Sequence, residues 1–256
     1  MYENEHTNAR RAPNMHEPMT TPENSILASL PRKEYQQLLP DLAPVTLAFG
    51  QVLYEPGARI QEVYFPGACL VSLLTVVENH LALEVGMVGR EGMVGIALAL
   101  GVEVSPVRAL VQGAGPALRM KKTRFLAALH DSQALQRALN GYVNLLMAQI
   151  SRTAGCNRFH IVEARLAKWL LMTRDRVESE ELPMTQEFLS SMLGVRRVGV
   201  TEAASALHRQ RLIEYSRGKI RILDHAGLEA AACSCYAAER ASAFGSSRSY
   251  SVLTTA

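Results

Sequence analysis

Between Arg196 and Arg221 the chain places seven cations, Arg196, Arg197, Arg209, Arg211, Arg217, Lys219 and Arg221, against two carboxylates, Glu202 and Glu214. That local excess of five positive charges is larger than the net charge of the whole 256-residue chain, +3. Residues 24–130, by contrast, hold nine cations and eight carboxylates. A basic excess confined to one segment is the footprint of a polyanion partner when its residues share a face. Arginine near the start of a helix can grip guanine through two parallel hydrogen bonds, and cations on a nearby loop hold phosphate.

Other chemistry has less support. No nucleophile, base and orienting group can be assembled from the seven histidines and four cysteines, so an enzyme is not expected. Cys233-Ser-Cys235 is the one close cysteine pair, with only His225 nearby. That is too few ligands for a metal, and incidental thiols in an alanine-rich tail are the expectation. Gly86, Gly89, Gly92 and Gly95 recur at intervals of three, but neither a phosphate-binding lysine nor a strand-turn-helix context follows, so turns at barrel corners are expected. His80, without a second ligand, does not make a haem site. No cofactor and no metal are expected.

The basic segment has a definite local grammar. Thr185 can cap a helix whose first turn carries Glu187, and Phe188, Leu189, Met192 and Leu193 give that helix an apolar face. Gly194 suits its end, where positive φ is wanted. A second helix beginning at Arg196 buries Val200, Ala203, Ala204 and Leu207, and Ser190 offers a small side chain where the two helices cross. These are the steric requirements of a helix-turn-helix. Two β-prone runs in residues 211–223 flank Ser216-Arg-Gly-Lys219 and predict a hairpin with a cationic tip, so the unit reads as a winged helix.

Upstream lie the elements that must carry this unit. Residues 1–24 lack apolar periodicity and predict a disordered arm. Two short helices, broken at Pro31 and Pro40, precede seven short apolar runs between Val45 and Met120, which predict an antiparallel β-roll. From Ser132 the steps Leu135, Leu139, Tyr142, Leu146, Gln149 and Thr153 alternate four and three, the spacing of a coiled-coil seam or of a helix laid on its own barrel. The length of about 25 residues favours a partner helix. No apolar run reaches the ~18–20 residues of a membrane span, and no apolar signal-peptide core opens the chain, so a cytoplasmic protein is expected.

A glycine-punctuated β-roll, a long helix and a terminal winged helix, in that order, resemble the Crp/Fnr superfamily of bacterial transcription factors. The marks are clearest over Thr185 to Ile213, at Leu53-Tyr-Glu-Pro-Gly57 and at Val63-Tyr-Phe65, and the likeness runs from about Ser25 to Leu228. The resemblance implies an α+β chain with a disordered arm at 1–24, a cyclic-nucleotide-binding-like sensor roll at 25–131, a dimerisation helix at 132–158, a winged helix-turn-helix at 159–228 and a flexible tail at 229–256. It implies a homodimer through Leu135, Leu139, Tyr142 and Leu146, bound to an inverted repeat of double-stranded DNA, with RNA polymerase as a further partner. DNA contacts are expected from Thr185, Gln186, Arg196, Arg197, Val198, Gly199, Thr201, Glu202, Arg217 and Lys219.

The sequence also departs from the family pattern. Val198 stands where glutamate usually follows the arginine matched by Arg197, and Thr201-Glu202 replace Ser/Gly-Arg, so the family's best-known target sequences are not expected. In the roll, Gly95 is followed by Ile96 where nucleotide-binding members carry a ribose-binding glutamate, and Arg108 is followed by Ala109 where they carry a hydroxyl. Cyclic AMP and cyclic GMP are therefore not the expected effectors. No cysteine precedes Cys69, which argues against the family's N-terminal iron-sulfur cluster. A sensor whose winged domain contacts protein instead of DNA is the alternative, and the basic second helix speaks against it.

Overall fold

The computed structural model describes residues 23–77, 81–216 and 218–244. His80, Arg217, residues 1–22 of the expected arm and residues 245–256 of the expected tail lie outside the described residues.

The chain opens with α1 (Ser25–Ala28) and α2 (Arg32–Leu38). Asn24, expected in the arm, is buried. Its side chain accepts from Ile26 and Leu27 N–H and donates to the carbonyls of Pro66 and Gly92, which pins the first described residues to the roll.

Seven antiparallel strands follow: β1 (Ala43–Leu47), β2 (Val52–Tyr54), β3 (Glu62–Pro66), β4 (Leu70–Val77), β5 (Leu81–Val88), β6 (Arg108–Gly113) and β7 (Gly115–Lys121). They form two sheets, ordered β1-β7-β3 and β2-β6-β4-β5, around a core that includes Val63, Phe65, Val71, Val88 and Val111. The glycines of this region are not simply corner turns. At Gly92 a Cβ would lie 2.4 Å from the Tyr142 ring, so the missing side chain is space for a helix that crosses the roll.

That helix is α4 (Gln133–Phe159), reached through α3 (Lys122–Asp131). Ser132 caps α4 by accepting from Leu135 N–H. Its apolar seam differs from the expected dimer interface: Leu135, Leu139 and Tyr142 are at most 2% exposed and belong to the core of this chain's own roll, and Leu146 packs against that core. Heptad spacing records which face is buried, and here the roll buries it. Another line on the same helix stays open, at Val143, Met147, Ile150 and Ala154, with Met147 64% exposed.

α5 (Val162–Val177) starts the second unit after a break at His160 and Ile161. Then come β8 (Glu181–Pro183), α6 (Gln186–Leu193), α7 (Arg197–Arg209), β9 (Ile213–Ser216) and β10 (Lys219–Ile222), with the strands ordered β8-β10-β9, so β8 adds a third strand to the expected hairpin. Leu166, Leu170, Leu189, Val200, Leu207, Ile213 and Ile220 form the core of this unit.

The expected flexible tail is folded as far as the described residues reach. α8 (His225–Ala231) is followed by α9 (Cys235–Phe244), whose Tyr236 and Glu239 are buried one helical step apart. Tyr236 donates to Asp175 Oδ2 at 2.8 Å, and Glu239 accepts from Arg152 at 3.1 Å. A buried carboxylate requires such a partner, and the partner lies on α4, so α9 is held between α4 and α5.

Candidate nucleic-acid interface

α6 and α7 meet at a turn built as the sequence implies. Thr185 Oγ1 accepts from Phe188 N–H at 3.1 Å, and Gly194 ends α6 at φ +61°. A Cβ at Gly194 would also lie 2.5 Å from Leu83 of β5, so the turn rests against the roll. Below it Leu189, Met192, Val200, Ala203 and Leu207 are buried. The fold therefore buries one face of α7 and commits the other to solvent.

The exposed face carries most of the expected contacts. Arg196 is the N-cap of α7, one residue before the helix proper, with Arg197 at its first position. Both guanidiniums are exposed, and neither forms a salt bridge among the described residues. Val198 is 60% exposed, unusual for a valine that packs on nothing, and Gly199 has open space where a side chain would stand. Thr201 Oγ1 lies 3.0 Å from both Gln186 Oε1 and the Arg197 carbonyl, so it also links α7 to α6. Glu202 is exposed and makes no salt bridge with Arg209 among the described residues. The hydroxyl of Thr185 is engaged in capping, which leaves its methyl and backbone for any outside contact.

On the wing, Lys219 is exposed and Gly218 turns the hairpin at φ +77°. Arg221 is partly neutralised by Glu214 at 2.7 Å. Among the described residues, Arg196, Arg197 and Lys219 are exposed without an acidic partner, with Arg209 and Arg211 exposed beyond them. This edge is suited to holding phosphates, and the exposed start of α7 to meeting base edges.

The sensor positions behave differently. Gly95 precedes a 3-10 turn, Ile96–Leu100, and the Ile96 side chain packs against the roll core. Arg108 Nε donates to Glu55 Oε2 at 2.8 Å, so a carboxylate already neutralises its charge.

Between roll and winged unit lies a polar network that the sequence did not reveal. Trp169 Nε1 of α5 donates to Glu84 Oε1 of β5 at 2.9 Å, and Ser72 Oγ donates to the other oxygen. Burial pushes the Glu84 carboxyl up to about 7, against the lowering effects of those two hydrogen bonds and of the Arg176 and Lys168 charges. Arg176 Nε donates to the buried Glu91 at 2.8 Å, and Gln149 Oε1 of α4 accepts from Met87 N–H at 2.9 Å. The structure also gathers Cys156 and His160 beside Cys233 and Cys235, which sequence separation hid. His225 is not among them.

Residues 164–231 match the family model of the Crp-like helix-turn-helix domain. Among solved structures, a CRP/FNR-family transcriptional regulator from Thermus thermophilus is similar at 24% identity and TM-score 0.61, covering 74% of this chain and 98% of that one. FixK2 from Bradyrhizobium japonicum is similar at 14% identity and TM-score 0.62, covering 75% and 98%. The c-di-GMP-responsive global regulator CLP of Xanthomonas campestris is similar at 14% identity and TM-score 0.61, covering 74% and 98%. No curated protein matches the chain. No helix among the described residues is long and apolar enough to cross a membrane. Residues 164–231 are thus a Crp-like helix-turn-helix domain, and the chain that carries it has the fold of these solved regulators.

Proposed function

We propose that the chain acts as a homodimer that binds an inverted-repeat DNA operator through α7 and the wing. The observation that carries this reading is the first turn of α7, where Arg196 and Arg197 stand exposed, without an acidic partner among the described residues, beside the open Val198. Unpaired arginines keep both their counterion shell and their full hydrogen-bonding capacity for a polyanion. Arg197 reads guanine, Val198 meets a thymine methyl, and Arg196 and Lys219 hold phosphate. Arg217 and Glu202 complete the set as a second wing cation and a candidate cytosine acceptor.

Dimerisation uses the open line Val143, Met147, Ile150 and Ala154, in place of the seam buried against the roll. Phe159 and Ile161 add two further exposed apolar side chains at the end of the same helix and just beyond it. Two such chains set their α7 helices to enter successive major grooves roughly 34–36 Å apart. Cyclic nucleotides are not the effectors: Ile96 offers no acceptor to a ribose hydroxyl, and Arg108 would have to leave Glu55 to hold a phosphate. RNA polymerase is the further partner of a regulator that activates, and the cytoplasm is where both it and the operator are met.

Titration of a duplex pool at several salt concentrations tests the electrostatic part. Neutralising Arg196 and Lys219 together lowers the slope of log affinity against log salt by about two for each chain bound. A wild-type protein that binds no duplex at low salt would remove this reading.

A further inference from the structure

Cys156 and His160 stand one turn apart at the end of α4, with His160 closing the helix in extended backbone, φ −106° and ψ 143°. Cys233 and Cys235 flank the start of α9. The chain separates the two pairs by more than 70 residues, yet their four ligand atoms all lie within 4.8 Å of one another. Cys156 Sγ is 3.5 Å from Cys233 Sγ, and Cys235 Sγ is 3.7 Å from His160 Nδ1. A tetrahedron with Zn–S of ~2.3 Å and Zn–N of ~2.0–2.1 Å has edges of about 3.5–3.8 Å. These two separations match those edges, and the other four lie within 4.8 Å.

We propose that Cys156, His160, Cys233 and Cys235 form a tetrahedral zinc site that fastens α9 to the hinge between the long helix and the winged domain. Three thiolates and one neutral imidazole make a closed set with no open position, the donor pattern of a structural site and not of a catalytic one. On binding, the three thiols release their protons to solvent and each sulfur donates an electron pair to the metal, as does His160 Nδ1. The bound group carries one net negative charge. Lys168 and Arg165, both buried, stand where their positive charges act on the cysteine sulfurs and balance it. Arg165 is itself oriented by Asn157 Oδ1 at 2.7 Å, and Cys233 N–H reaches the Ala164 carbonyl of α5 at 3.4 Å. The metal therefore joins the end of α4 to the start of α9 beside α5, at the point where the chain changes direction.

Metal content of the full chain, purified under reducing conditions and incubated with zinc, decides this. The expected result is about one tightly held zinc per chain, with Cys235→Ser and His160→Ala each weakening retention at least ~10-fold and Cys69→Ala, at a thiol outside the group, leaving it unchanged. Cobalt(II) loading of the unaltered protein is the control that needs no variant, and it should give the d–d and thiolate charge-transfer bands of a tetrahedral site. Proteolysis should release the C-terminal helix faster after a strong chelator is added. Absence of zinc and of the cobalt bands would overturn the assignment. So would a Cys156–Cys233 disulfide in the reduced preparation, an iron-sulfur chromophore, or variants that hold zinc as the wild type does.

Discussion

Glu84 is replaced by glutamine, a neutral side chain of the same shape that keeps an acceptor for Trp169 Nε1–H and gains a donor toward Ser72. Burial holds the Glu84 carboxyl at about 7, against an ordinary value of 4.5. In the folded chain the group therefore keeps its proton through a pH range in which the unfolded chain has lost it. Because the native state binds more protons there, stability falls as pH rises from about 4.5 to about 7, and above that the full cost is present. Two to three pKa units at 1.36 kcal/mol each give about 3 kcal/mol. The glutamine variant has no such group, so the stability difference between wild type and Glu84→Gln shifts by about 3 kcal/mol across this window, in favour of the variant at higher pH. Trp169 is the only tryptophan in the chain and sits on the network, so its emission during urea unfolding at pH 5 and pH 8 reports the junction itself. Parallel pH dependence in the two proteins would show that Glu84 is ionised or solvated at neutral pH, and the reasoning about the buried network would fail.

Three further outcomes follow from the same geometry. Arg197→Ala should cost ~1–3 kcal/mol on a preferred site and flatten base preference, whereas Lys219→Ala should weaken all duplexes alike and lower the salt slope by about one; anisotropy titrations on preferred and scrambled duplexes separate the two. Met147→Lys with Ile150→Lys should give folded monomers in sedimentation, while Leu139→Lys should unfold the roll by burying an unpaired charge; an unchanged dimer in the first variant refutes the assigned face. Calorimetry with cyclic AMP and cyclic GMP should find no dissociation constant at or below the micromolar range, since Ile96 gives a ribose hydroxyl no acceptor, Ala109 gives a phosphate no hydroxyl and Arg108 is already paired with Glu55.

What could be read from the sequence was what local chemistry decides. The cap at Thr185, the positive-φ stop at Gly194 and the apolar spacing of α6 and α7 are properties of neighbouring residues, and they locate the helix-turn-helix almost to the residue. The strand runs were legible for the same reason. The Leu135–Tyr142 seam was legible as a buried face but not as to what buries it, because a partner helix and the chain's own roll impose the same spacing. The folded end of the chain was hidden by its alanines: Tyr236 and Glu239 are buried only because Asp175 and Arg152 come to them from other helices. The cysteine-histidine group and the Glu84 network were invisible because the segments that meet there stand 62 to 85 residues apart.

Selection of bound duplexes from a random pool by the full-length protein is the most direct measurement of the central claim. A single enriched inverted repeat is expected, with half-sites one helical turn apart and a guanine in each whose preference is lost with Arg197→Ala. A pool that emerges without any enriched sequence, or with a motif lacking dyad symmetry and indifferent to Arg197, would contradict it.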